Sequence, residues 1–137
     1  MSRSNYSDDM ENGWALIRWR GAVASALNGA RGQAFLRELL ASLDALPDKK
    51  LIAGDLMAQS GEVCALGAVG VARAIPMDAL DPEDASSVAD TFGIAEAMSR
   101  EIVWINDEAV AYSETPEARW QRVRKWVQQQ IKKEVTP

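Results

Sequence analysis

Few side chains in this sequence could do chemistry, and the absences narrow the field first. The chain has no histidine and a single cysteine. Without histidine the usual general base, the Ser-His and Cys-His pairs and most zinc sites drop out together. Carboxylate-only catalysis is left open, and no motif asks for it. Cys64 lies in the apolar run Val63–Leu66. It reads as a small buried hydrophobe, because its sequence neighbours supply none of the positive charge a reactive thiol needs. Asn106-Asp107-Glu108 offers oxygen donors, but adjacent residues point to different sides of a helix, so no shared metal site is expected. Glu101 falls at the edge of an apolar stripe and needs a cation, most naturally an arginine of the last helix. No catalytic, cofactor or metal residue is assigned.

Charge is the stronger signal. Between Asp78 and Glu117 there are eleven acids, Asp78, Asp81, Glu83 and Asp84 among them, and one base, Arg100. From Ala118 to the end there are six bases, Arg119, Arg122, Arg124, Lys125, Lys132 and Lys133, against Glu134. The net charge of −5 therefore hides a bipolar chain. One reading is that these are solvated helix faces attracting each other inside the fold. The other is an acidic surface, led by Asp78, Asp81, Glu83 and Asp84, that meets a basic partner, since charge patterns steer association. In the last helix Arg119, Arg122, Lys125, Lys132 and Lys133 lie opposite the apolar stripe, with Trp126 turned toward them. Bases interleaved with an aromatic can hold nucleic acid or an acidic partner. Arg18-Trp19-Arg20, with Arg31 and Arg37, marks a lesser basic patch where the first two helices meet.

Helices have to position these groups. Residues 14–28 carry Leu16, Trp19, Val23 and Leu27 on one stripe, ending at Asn28-Gly29. Gly29–Gly32 reads as a link. Residues 33–46 give the clearest amphipathic face, Phe35, Leu36, Leu39, Leu43 and Leu46, stopped by Pro47. Residues 49–75 are ambiguous. Glu62–Ala74 is favoured as a helix whose Gly67 and Gly70 permit close backbone approach, with a β-hairpin pairing 51–58 with 62–69 as the alternative. Asp81-Pro82 should cap and open a helix carrying Ala85, Val88, Ala89 and Phe92 inward, and Gly93 should separate it from the next. Residues 94–110 carry Ile94, Met98, Ile102, Ile105 and Ala109. Thr115-Pro116 should open the last helix, with Trp120, Val123, Val127 and Ile131 inward.

The expected fold is mainly α: one compact domain over 14–137, a bundle of five to six helices, preceded by a flexible lead-in at 1–13. A chain of 137 residues is long enough to bury its own core without staples. One cysteine allows no internal disulfide, and the polar lead-in lacks the apolar centre of a signal peptide. No apolar run nears the length of a membrane span. A cytoplasmic protein with no membrane partner is expected; oligomeric state is left open.

Gly61–Ala68, Ile105-Asn106-Asp107-Glu108 and Thr115-Pro116-Glu117-Ala118-Arg119-Trp120, in that order, resemble small reading frames of bacteriophages and prophages. The likeness covers about residues 14–131. It attaches no activity and no catalytic residue. What it implies is a class: small acidic phage proteins often bind and disable a host machine, immune nucleases included. The expectation is thus a non-enzymatic accessory protein that binds a host protein or protein–nucleic acid complex, an inhibitor of bacterial defence among the options. The alternative is a nucleic-acid-associated protein using the basic last helix.

Overall fold

A computed structural model describes residues 3–4, 13–110 and 113–132. It contains six helices: α1 (Gly13–Asn28), α2 (Ala30–Ala45), α3 (Ala65–Ala72), α4 (Ala85–Phe92), α5 (Glu96–Asp107) and α6 (Pro116–Gln130). The mainly α expectation holds. Two helices organise the rest. α2 packs against α1, α3 and α6, while α5 packs against α1, α3, α4 and α6. The core between them is built from the expected stripes: Leu36, Leu39 and Leu43 of α2, Met98 and Ile102 of α5, Val123 and Val127 of α6 are all buried. Phe35 meets Phe92 edge to face, with ring centroids 6.4 Å apart.

Several expectations need correction. The link at 29–32 shrinks to Gly29, and α2 opens at Ala30. Gly32 explains how. A Cβ there would lie 1.8 Å from the Ala26 carbonyl oxygen, so the first turn of α2 crosses the last turn of α1 in backbone contact. Leu16 is exposed although it shares a helical period with Trp19 and Val23. Ala109 likewise lies beyond α5 and is exposed.

The ambiguous stretch resolves into both readings in part. Its second half is α3, shorter than expected, and Gly67 works as foreseen: a Cβ there would sit 2.0 Å from the Leu56 carbonyl oxygen. The hairpin reduces to one antiparallel bridge between Met57 and Val63. Pairing stops there because Cys64 already caps α3, its sulfur accepting from the Gly67 N–H at 3.4 Å. Thr115 caps α6 as expected, accepting from the Ala118 N–H, with Pro116 in the first turn. The cap of α4 is Asp84, not Asp81. Asp81 instead accepts from the Glu83 N–H in a turn, and Asp84 takes the Ser87 N–H and hydroxyl. Among the described residues no helix is long and apolar enough to cross a membrane.

Candidate functional site

The expected interaction surface on α6 is largely spent inside the fold. Arg119 is 9% exposed and donates to the Leu51 carbonyl at 2.9 Å. Arg122 grips Glu114 with two nitrogens, at 2.7 and 2.9 Å, and gives a third bond to the Ile105 carbonyl at 2.7 Å. The Arg122 hydrogen bonds hold the Glu114 carboxyl below the usual glutamate range against the opposing effect of burial. Arg124 forks onto Asp44 and lies over the Trp120 ring. Trp126 is half-buried and packs against the core, so it does not stand out among the bases. Lys125 is exposed. Lys132 gives its ammonium to the Asn28 carbonyl at 3.0 Å. Lys133 falls outside the described residues. Arg119 and Arg122 are thus buttresses of the α5–α6 junction, a correction to their placing on an open basic face.

The acidic residues fare differently. Asp78, Asp81, Glu83 and Asp84 are all exposed, in the connector between α3 and α4. Asp90 is exposed further along α4. Among the described residues Asp78, Asp81 and Asp90 form no ion pair. The other acids of the run are engaged: Glu114 with Arg119 and Arg122, Asp107 with Arg3, and Glu117 with Lys50 at 3.6 Å. Internal pairing therefore accounts for much of the segregated charge but not for Asp78, Asp81 and Asp90. The predicted partner of Glu101 is corrected: the carboxylate is gripped by Arg20 of α1, at 2.8 and 3.0 Å, not by α6. That uses one arginine of the Arg18-Trp19-Arg20 patch, and Trp19 itself lies under Arg100, 4.4 Å from ring centroid to guanidinium.

The most organised polar cluster is one that sequence reasoning dismissed. The end of α5 gathers three segments through Asn106, Asp107 and Glu108. Buried Asn106 accepts from the Ala65 N–H at 3.0 Å and donates to the Ile52 carbonyl at 2.9 Å, tying the start of α3 to the 51–63 loop. Asp107 accepts from the Gly54 N–H at 3.2 Å and from two nitrogens of Arg3. Burial opposes its ionisation, but the bonds from Arg3, its charge, and those from Asn106 and Gly54 outweigh that and hold the carboxyl below the usual aspartate range. Glu108 accepts from the Ser4 hydroxyl at 2.8 Å, and Arg100 donates to the Ser4 carbonyl at 2.7 Å. Of the expected lead-in at 1–13, Arg3 and Ser4 are thus buried against α5, while residues 1–2 and 5–12 lie outside the described set. Cys64 is buried as expected, yet Arg3 lies 3.5 Å from its sulfur, so its surroundings in space carry the positive charge that its sequence neighbours lack.

A second missed residue is Gln33. Its amide nitrogen donates to the carbonyls of Leu27 and Gln130, and its oxygen accepts from the Lys132 N–H at 2.8 Å. One buried side chain thereby joins the ends of α1 and α6 to the start of α2. No protein-family profile, curated protein or solved structure matches the chain.

Proposed function

We propose that this chain is a non-enzymatic phage or prophage accessory protein that binds a basic host protein through the acidic face of the α3–α4 connector and α4. The phage setting, and with it counter-defence as the purpose, rests on the sequence resemblance alone. The observation that carries the choice of surface is where charge is left over. The bases of α6 are largely consumed by Glu114, Asp44 and backbone carbonyls. Asp78, Asp81 and Asp90 are exposed without an ion-pair partner among the described residues. A surface of one sign raises encounter rates with the opposite sign and repels nucleic acid. The nucleic-acid alternative loses Arg119 to the interior and has Arg122 tied to Glu114 and the Ile105 carbonyl.

The test is capture from a bacterial lysate with three forms of the chain: wild type, Asp78→Asn/Asp81→Asn/Asp90→Asn, and Lys125→Glu/Lys132→Glu. The expected result is a basic protein retained by the wild type and the lysine variant and lost from the aspartate variant. Retention by the aspartate variant, or salt-sensitive binding of DNA that only the lysine variant loses, would overturn the reading.

A further inference from the structure

We propose that Asp107 and Cys64 form a guanidinium-binding pocket that the chain's own Arg3 fills, and that an arginine side chain presented by another molecule can take its place. The inference is independent of the acidic α3–α4 surface.

The pocket fits the fork of an arginine. Both Nε and Nη2 of Arg3 go to the two oxygens of Asp107, the Nη2 bond measuring 2.7 Å. Its remaining nitrogen, Nη1, points at the Cys64 sulfur at 3.5 Å. All three guanidinium nitrogens are engaged, and Arg3 is only 4% exposed. A planar, bidentate arrangement of this kind selects arginine over lysine, whose ammonium is a point charge.

The pocket is also held in shape by groups other than Arg3. Asp107 Oδ1 is fixed from the side by the Gly54 N–H and by the Asn106 amide at 2.8 Å. Asn106 is itself locked between Ala65 and Ile52. The Cys64 sulfur is fixed by the Gly67 N–H. Such support keeps a binding constellation formed when its occupant leaves. Neither Arg3 nor Ser4 is apolar: Arg3 is held by the Asp107 fork and Ser4 by hydrogen bonds to Glu108 and Arg100, bonds that a second guanidinium and water can replace in kind.

Cys64 is the single cysteine, so thiol alkylation reads the pocket directly. The experiment follows the alkylation rate of Cys64 by maleimide in the full chain, wild type, Arg3→Ala and Arg3→Lys, with helical content monitored by circular dichroism. Arg3→Ala is expected to label about tenfold faster than wild type, the rate change of a 1.4 kcal/mol shift in opening. Ethylguanidinium at about 10 mM, a few times a millimolar dissociation constant, should bring Arg3→Ala back toward the wild-type rate. Ethylammonium at the same concentration should not. Arg3→Lys should label faster than wild type and be protected by ethylguanidinium. Equal labelling of wild type and Arg3→Ala overturns the proposal. So does protection by ethylammonium as strong as by ethylguanidinium, which would make the pocket a general cation site. Loss of helical signal in both variants also overturns it, because Arg3 would then be a structural member of the core and not an exchangeable occupant.

Discussion

Replacing Arg122 by alanine tests whether the basic residues of α6 are structural. The side chain is 25% exposed and its partner Glu114 only 9%, so the pair is neither a surface pair nor a fully buried one. Exposed pairs contribute about 0–1 kcal/mol. Breaking a buried pair costs about 3–5 kcal/mol, because a charge is left stranded. Here Glu114 keeps Arg119, 3.5 Å away, while the Ile105 carbonyl loses its bond from Arg122. The geometry therefore places Arg122→Ala between the two limits, near 2 kcal/mol, roughly 6–10 °C in melting temperature for a chain of this size. The assay is thermal unfolding followed by circular dichroism. Lys125→Ala, one helical turn away and exposed, should change stability by less than about 0.5 kcal/mol. A double-mutant cycle with Glu114→Gln should give a coupling of about 1 kcal/mol or more. The pH dependence supplies a second arm. The Arg122 hydrogen bonds lower the Glu114 carboxyl in the folded state. Its stabilising contribution is therefore complete above the ordinary glutamate value, and is lost as the pH falls through the lower folded one. In Arg122→Ala that acid-side slope should flatten. Equal melting of wild type and Arg122→Ala, or an equal loss from Lys125→Ala, would refute the assignment of Arg122 to the interior.

Leu39→Ala and Leu43→Ala should each cost about 2–5 kcal/mol in chemical unfolding, since both side chains are fully buried at the α2 centre; an unchanged midpoint would remove α2 from the core. Gly32→Ala should destabilise by about 1–3 kcal/mol or more, its Cβ driven into the Ala26 carbonyl, whereas Gly70→Ala should cost less because it meets the flexible end of Met77; comparison of the two midpoints checks the order. Asn106→Ala should lower stability by about 2–4 kcal/mol, leaving the buried Ala65 N–H and the Ile52 carbonyl without their partner, and amide exchange at Ala65 should accelerate. Asp107→Asn should remove stability near neutral pH, and the difference should shrink as the pH falls through the folded carboxyl's lowered range, below the ordinary aspartate value; a constant difference as the pH is lowered would contradict the pairing with Arg3.

Much of the fold was legible because local chemistry and burial agree in the long helices. The period of Leu36, Leu39 and Leu43 and the pair Thr115-Pro116 gave α2 and the start of α6 directly. Asp81 misled because two aspartates, three residues apart, both precede an apolar run. Pro82 suits a turn as well as a first helical position, and it is Asp84 that has Ser87 in reach. Leu16 misled because a period names a face without saying how far along the helix the neighbour extends. The site was harder to read. Spacing put Arg119 and Arg122 opposite the apolar stripe, but Arg119 is buried on the same side as Val123 and Val127, and nothing in the spacing signals that Glu114 and the carbonyls of Leu51 and Ile105 close over the two arginines. Asn106, Asp107 and Glu108 do point in different directions, as adjacent helical residues must. What the sequence could not show is that each direction holds a different segment.

The bonds made by Gln33 set a timetable for the newborn chain. Gln33 joins the first half of the chain to the Lys132 amide, 99 residues later. At about 5–20 residues per second a ribosome needs roughly 5–20 s to travel that distance. For most of that interval α2 has been made, but the groups that cover Gln33 and complete the core, Val123 and Val127 included, do not yet exist. The α1–α2 pair must therefore wait with an apolar face open to water and to chaperones until α6 has been made. A nonsense codon even a few residues before Gln130 would release a chain whose helices are nearly all present and whose closing clamp is missing.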